Sequence, residues 1–175
     1  MPRSSSKALT VIDQQLASLQ ASMAGLEAHL AQLLQQHYQD LNDGLQSIPG
    51  IGPTSALLLI VVSQGFQAFE HANQLIAYVG LAPRIYQSGK TVLKNHINKQ
   101  GAARLRKVLY MAAWSAKRFN KACQALYQRL LQKGKPTKVA LIAVANKLIK
   151  QAFAIAKSKT KYQDDFKPNF ISQKA

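Results

Sequence analysis

Acidic residues are scarce in this sequence. Its 175 residues hold seven Asp and Glu against 23 Lys and Arg, which gives a formal net charge of +16. No carboxylate lies between His71 and Gln163, and that stretch carries 19 of the 23 cations. Because a chain that needs only solubility intersperses the two signs, this distribution predicts a polyanionic partner, with nucleic acid as the first candidate.

Cysteines and long apolar runs are also lacking. The one cysteine, Cys123, cannot form an internal disulfide, so the chain has no need of an oxidising compartment and a cytoplasmic location is expected. The longest apolar stretch, ALLLIVV at 56–62, is too short to span a bilayer, and MPRSSSKALT at the start lacks the apolar run of a signal peptide. We therefore expect no membrane partner.

The familiar motifs of metal and cofactor chemistry are missing as well. No Walker loop, Rossmann glycine pattern or paired carboxylate occurs, and the four histidines have no ligand partner at metal-binding spacing. We expect no metal and no cofactor in this chain. Cys123 and Trp114 fall at the spacing of a helical core and are interpreted as packing residues.

The N-terminal segment has a regular heptad pattern. Apolar residues follow one another at spacings of three and four, at Leu9, Ile12, Leu16, Leu19, Met23, Leu26, Leu30 and Leu33. A helix of about 35 to 40 residues would reach some 50 to 60 Å, which is too long to pack entirely on a small domain. Its apolar seam needs another helix, supplied by a hairpin arm folded on its own domain, by a coiled coil between chains, or by a coiled coil with a missing domain.

The rest of the sequence predicts a mainly α fold. We assign residues 1–46 to the coiled-coil helix, 47–156 to a compact helical domain and 157–175 to a basic flexible tail. The prolines and glycines of residues 47–53 are predicted to break the first helix. Further helices are predicted from Thr54 to Ser63, from Ala72 to Tyr78 with Gly80 ending it, after Gly101 and after Pro136. Residues 81–100 are predicted to be irregular or β-prone.

Residues 45–56 have the form of a helix-hairpin-helix motif. Gly50 and Gly52 permit a tight turn, and Ile51 between them is expected to enter the core. The first amides of the next helix, near Thr54 and Ser55, point outward and can hold a phosphate. This motif binds the DNA backbone without base preference. A helix-to-helix turn without any ligand explains the same residues.

Residues 84–107, RIYQSGKTVLKNHINKQGAARLRK, contain no acidic residue and place a hydroxyl near their start. Ser88 precedes Gly89, and a phosphodiester drawn to the surrounding charge would meet this hydroxyl, although a Ser-Gly pair also suits a plain turn and Tyr86 is an equally possible alcohol. The cations that we expect to contact DNA are Arg84, Lys90, Lys94, Lys99, Arg104, Arg106 and Lys107.

Three ordered blocks resemble one known family. SIPGIGPTSALLLIV, LIAYVGLAPRIYQSGKTV and HINKQGAARLRKVLYMAAWSA are similar in order and spacing to the C-terminal half of the insertion-sequence one-ten family of transposases, which are related to DNA invertases. The match runs from about Leu45 to Ala156. The resemblance implies that Ser88, in the Pro-x-x-x-x-Ser-Gly block, attacks DNA and forms a covalent phosphoserine link.

The resemblance also implies partners and a departure from the family. Family members carry an N-terminal RuvC-like domain whose four carboxylates bind Mg²⁺, and a structured guide RNA that pairs with DNA. No such domain precedes the heptad helix here, so the chain is expected to be a fragment, a truncated product or a partner of an intact protein, and to be inactive alone. The alternatives are a non-catalytic DNA- or RNA-binding regulator of a full-length transposase and a basic structural RNA-binding protein.

Overall fold

The computed structural model describes residues 3–84, 87–88, 91–92, 96–97 and 101–164, which form two compact units, Met1–Gln39 and Asp40–Ala175. Seven helices are found in these residues: α1 (Arg3–His37), α2 (Gln39–Gln46), α3 (Pro53–Ser63), α4 (Ala72–Val79), α5 (Ala103–Phe119), α6 (Lys121–Gln132) and α7 (Thr137–Ser158). Four two-residue strands lie between α4 and α5: β1 (Pro83–Arg84), β2 (Gln87–Ser88), β3 (Thr91–Val92) and β4 (His96–Ile97). The predicted mainly α class is confirmed.

The first unit is the long helix that the heptads predict. Helix α1 has 35 residues and ends at His37, so the chain begins a new helix at Gln39 instead of continuing unbroken to Ser47. The side chains of the apolar seam are exposed along α1: the exposed fraction is 57% for Leu9 and 65% for Leu26. Most of the stability of an amphipathic helix comes from packing of its apolar face, so this seam needs a partner helix.

The core of the second unit is built around α7. This helix packs against α4, α5 and α6, and α3 packs against α5. Among the described residues α7 is also the one helix with the length and apolar composition to cross a membrane, but half of that stretch is buried inside the domain. The largest fully buried side chains are Leu45, Ile48, Leu59, Leu75, Leu81, Leu105, Leu109, Leu141, Leu148, Ile149, Val79 and Val144.

The end of α4 is joined to the start of α5 by hydrogen bonds. Gly80 has φ +78° and ends α4, as the sequence predicts, and its amide donates to the carbonyl of Ala77. The amide of Ala102 donates to the Tyr78 carbonyl at 3.3 Å, and Nη1 of Arg106 donates to the Val79 carbonyl at 2.8 Å. The last carbonyls of α4 are thereby satisfied by the α5 side.

Asn120 separates α5 from α6 and fixes their junction. Its side chain is fully buried, and its Oδ1 accepts the amide of Cys123 at 3.1 Å as the N-cap of α6. Its Nδ2 donates to Oε1 of Gln151 on α7 at 3.0 Å. Phe119 is thus the last residue of α5, and the apolar residues from Cys123 onward belong to a second helix, α6.

The residues after α7 fold back onto the domain. The Tyr162 hydroxyl donates to Oδ1 of Asn120 at 3.1 Å, and its amide donates to Oγ of Ser47 at 2.8 Å. Lys121 and Asp164 form an ion pair at 3.5 Å. These polar contacts tie Tyr162 and Asp164, which lie within the predicted tail, to α6 and to the turn after α2. The flexible tail from residue 157 stays a prediction. Residues 165–175 of that predicted tail lie outside the described part.

The raised pKa values of Cys123 and Tyr162 predict a loss of stability at alkaline pH. Burial raises the pKa of the Cys123 thiol from 9.0 to about 11, against the opposing charge of Lys147. Burial, reinforced by the hydrogen bond and charge of Asp164, raises the pKa of Tyr162 from 10.0 to about 12. Because both folded pKa values are raised, the stabilisation is complete below pH 9 and is lost as the pH rises toward 12.

Denaturant unfolding across this pH range checks that expectation. In Cys123→Ala the free energy of unfolding should fall less between pH 9 and 11 than in the parent chain, by about 3 kcal/mol for a fully buried thiol with this pKa shift. In Tyr162→Phe it should fall less between pH 10 and 12. Equal alkaline slopes in both variants and the parent chain would contradict the assignment.

Candidate nucleic-acid interface

The turn between α2 and α3 forms the first part of the candidate interface. Gly52 is extended at the N-cap of α3, with φ −94°, and Pro53 occupies the first helical turn, where its missing amide costs nothing. The amide of Ala56 already donates to the Gly52 carbonyl. The amides of Thr54 and Ser55 precede it and have no carbonyl of α3 within reach. Gly52, Pro53 and Thr54 are exposed, so this helix start is open to solvent.

The conformation of Gly50 is explained by packing. Gly50 has φ +107°, and a Cβ atom there would lie 2.7 Å from the Cβ of Ala116 on α5. Ile51 is 4% exposed and enters the core, so only its backbone is available to a phosphate. The Ser55 side chain is also buried, at 6% exposure. Of the side chains predicted here to bind DNA, that of Thr54 is exposed.

The first turns of α5 separate the three basic residues that the sequence groups together. Arg104 and Lys107 are exposed. Arg106 is half-buried and uses one guanidinium nitrogen to bind the Val79 carbonyl. Arg106 therefore has a structural role in joining α5 to α4, whereas Arg104 and Lys107 point outward from the domain.

The described residues of the segment with the candidate serine form two short antiparallel ladders. Pro83 and Arg84 in β1 pair with Ile97 and His96 in β4. In the inner ladder Ser88, the last residue of β2, pairs with Thr91, the first residue of β3. Three predicted DNA-binding residues, Lys90, Lys94 and Lys99, and the alternative nucleophile Tyr86 lie outside the described residues.

Two residues interpreted as core have different positions. Cys123 is fully buried, as predicted, but Trp114 is 40% exposed. Lys117 Nζ lies 3.6 Å from the centre of the Trp114 ring and 5.0 Å from that of Tyr127 on α6. The interpretation of Trp114 as a packing residue is therefore wrong. The helical spacing contained this information, because the buried residues of α5, Leu105, Leu109, Ala112, Ala113 and Ala116, centre on the face opposite to residue 114.

The described residues offer no metal site. In the part of the chain that the structure describes, no three His, Cys, Asp or Glu side chains come together in a group that could hold an ion. The chemistry available here is that of backbone amides, hydroxyls and cationic side chains.

Comparison with known proteins assigns the chain to a family. The family model described as "Transposase IS116/IS110/IS902 family" matches residues 42–128. The chain is 31% identical over 149 residues to the insertion element IS110 uncharacterized 43.6 kDa protein of Streptomyces coelicolor, a match that covers 85% of this chain and 36% of that protein. It is 40% identical over 115 residues to the pilin gene-inverting protein of Moraxella lacunata, covering 63% of this chain and 35% of that protein.

A third relative agrees with these two. The probable family 20 transposase of Pseudomonas aeruginosa is 30% identical over 157 residues, which cover 85% of this chain and 46% of that protein. These relatives place the chain among transposases and gene-inverting proteins. Within that class the chain belongs to the IS116/IS110/IS902 transposase family. It spans between 35% and 46% of the length of the three relatives.

Proposed function

We propose that this chain supplies the DNA-binding, serine-bearing part of a transposase that moves or inverts DNA. The observation that carries the proposal is the family match over residues 42–128, which includes the α2–α3 turn, Ser88 and α5. The absence of carboxylates from His71 to Gln163 supports DNA as the partner, because every charged side chain in that stretch other than histidine is a cation attracted to phosphate.

In the proposed reaction the Ser88 hydroxyl is the nucleophile. Its oxygen loses its proton and forms a bond to a DNA phosphorus, the bond from that phosphorus to one sugar oxygen breaks, and the released sugar oxygen takes up a proton to become a hydroxyl. A sugar hydroxyl of another strand then reverses the step and frees the serine. Because each phosphodiester is exchanged for another ester, no ATP is consumed.

Cationic side chains stabilise the negative charge on the oxygens of the phosphoryl group under attack. We assign this role to Arg84, Lys99 and Arg104, with Lys90, Lys94 and Lys107 holding the neighbouring phosphates. Arg106 contributes less, since part of its guanidinium already binds the Val79 carbonyl. The amides at Thr54 and Ser55, together with Gly50, Ile51 and Gly52 of the turn, hold the DNA backbone elsewhere.

The remaining components of the reaction lie in other parts of the assembly. A RuvC-like domain would supply carboxylates that hold Mg²⁺, and a structured guide RNA would pair with the DNA. The experiment that tests the proposal combines this chain with a separately expressed RuvC-like domain, the guide RNA and DNA of the element ends. We expect a denaturation-resistant protein–DNA adduct in the complete mixture and little or none with this chain alone. No adduct under any combination would remove the catalytic role.

We also propose that α1 pairs with a second helix of its kind. The exposed seam of α1 favours a homodimer, and the same seam would allow mixed pairing with a full-length transposase, by which the chain would act as a regulator.

Charge in the α1 seam should dissociate such a dimer. Leu19 and Leu26 are 61% and 65% exposed, and aspartates there would leave unpaired carboxylates in a helix interface. We expect Leu19→Asp/Leu26→Asp to sediment as a monomer at concentrations where the parent chain is dimeric. The matched control is Ala21→Asp/Ala28→Asp, which adds the same charge on the opposite face and should stay dimeric. A parent chain that is monomeric at high concentration would instead favour the hairpin arm.

A further inference from the structure

The outer face of α5 combines cations with exposed apolar side chains. Arg104, Lys107 and Arg118 are exposed on this face. Between them lie Met111, 61% exposed, and Trp114, 40% exposed. At 1.5 Å per residue the stripe from Arg104 to Arg118 is about 21 Å long. Exposed thioether and indole groups on a strongly charged helix face indicate a ligand that needs both kinds of contact.

Lys117 is held beside this stripe by two aromatic rings. Its Nζ lies 3.6 Å from the centre of the Trp114 ring and 5.0 Å from that of Tyr127, so the ammonium is fixed between α5 and α6 by cation–π contacts. Among the described residues Lys117 takes part in no ion pair, and the sequence has no carboxylate between residues 71 and 163. The Lys117 ammonium is thus held by the two rings, with no carboxylate from residues 71–163 beside it.

The charge of the face determines the class of ligand. A second copy of the same face is repelled by its own cations, whereas a polyanion is attracted. The phosphates of duplex DNA can pair with the cations, but the flat faces of its bases are stacked inside the double helix. A single strand offers phosphates together with unstacked bases, and bases stack on exposed aromatic side chains.

We propose that the outer face of α5 binds single-stranded nucleic acid, with a base stacked on Trp114 and an adjacent phosphate at the Lys117 ammonium. RNA and single-stranded DNA share this chemistry. The inference rests on the proposed function only in taking nucleic acid as the ligand, since it does not involve Ser88 or strand transfer.

The fluorescence of Trp114 tests the proposal directly, because it is the one tryptophan of the chain. The full chain is titrated with an oligothymidylate and an oligouridylate of about 12 nucleotides, and in parallel with a blunt duplex, an abasic strand of equal length and heparin. We expect quenching by one or both base-bearing single strands and little change with the other three polyanions. Comparing the affinities for the oligothymidylate and the oligouridylate shows whether DNA or RNA is the preferred ligand.

Substitutions separate stacking from charge. Trp114→Ala should weaken binding of a labelled single strand about tenfold to hundredfold in anisotropy titrations, and Trp114→Phe should retain most of the affinity. Tyr78→Ala, which removes a 52% exposed aromatic side chain from α4, is the matched control and should bind like the parent. Lys117→Met should reduce the slope of log affinity against log salt by about 0.7. Circular dichroism of each variant establishes that the helices are intact.

Three results would overturn the inference. The first is quenching of Trp114 by heparin or the duplex that is as strong as quenching by the single strands. The second is binding of single strands by Trp114→Ala with the affinity of the parent. The third is quenching that depends on protein concentration alone, which indicates self-association. The adduct assay is independent of these measurements. A chain that forms the adduct without quenching refutes this inference alone, and one that shows quenching without an adduct refutes only the catalytic role.

Discussion

Ser88→Ala is expected to abolish the covalent adduct between this chain and DNA, and Tyr86→Phe to leave it intact. The alanine methyl group cannot bond to phosphorus, so no other group at position 88 replaces the lost oxygen. The assay is denaturing electrophoresis of the complete mixture with labelled element-end DNA. Noncovalent DNA binding of Ser88→Ala, measured by anisotropy, should equal that of the parent, because the hydroxyl adds no charge to the cationic segment.

The two alcohols are distinguished by a reciprocal pair of results. An adduct that persists in Ser88→Ala and disappears in Tyr86→Phe would assign the reaction to the tyrosine. An adduct that survives both substitutions would show that neither Ser88 nor Tyr86 is the nucleophile. In the structure Ser88 is the last residue of β2 and pairs with Thr91 of β3.

Local sequence patterns predicted the helices of this chain well. The heptads of α1, the Pro/Gly break before α3 and the Gly80 end of α4 depend on residues close in sequence, and all three appear in the structure. Contacts between distant residues were not accessible in this way. The Tyr162 bonds to Asn120 and Ser47 join residues 42 and 115 positions apart, and no periodicity reports such a pairing.

The sequence predicts which residue types belong to the candidate interface but not where each side chain lies. The acid-free stretch predicts a cationic surface, but it does not separate the outward Arg104 and Lys107 from Arg106, whose guanidinium binds the end of α4. The sequence predicts a glycine at position 50 because the turn is tight. The structure adds a second reason, since Ala116 lies too close to leave room for a side chain. Trp114 was missed because tryptophan usually packs in cores, although the phase of α5 placed it outside.

Gly101→Ala is expected to destabilise the second unit more than any other glycine-to-alanine change discussed here. Gly101 has φ +108°, and an added Cβ would lie 1.8 Å from the Tyr78 carbonyl oxygen. That oxygen belongs to helix backbone and accepts the Ala102 amide, so it cannot move without breaking the junction between α4 and α5. The strained backbone and the lost hydrogen bonds together should lower the free energy of unfolding by about 3 kcal/mol or more.

Gly134→Ala is the matched control for this change. Gly134 also has a positive φ, +70°, but an added Cβ there would meet no atom within 4 Å. Only the left-handed backbone opposes the substitution, at about 1–2 kcal/mol. Urea unfolding of both variants measures the difference. If the two losses are equal, backbone strain alone accounts for the effect at Gly101 and the close approach to Tyr78 contributes nothing. A larger loss at Gly101 shows that the close approach to the Tyr78 carbonyl, at the junction between α4 and α5, adds to the backbone strain.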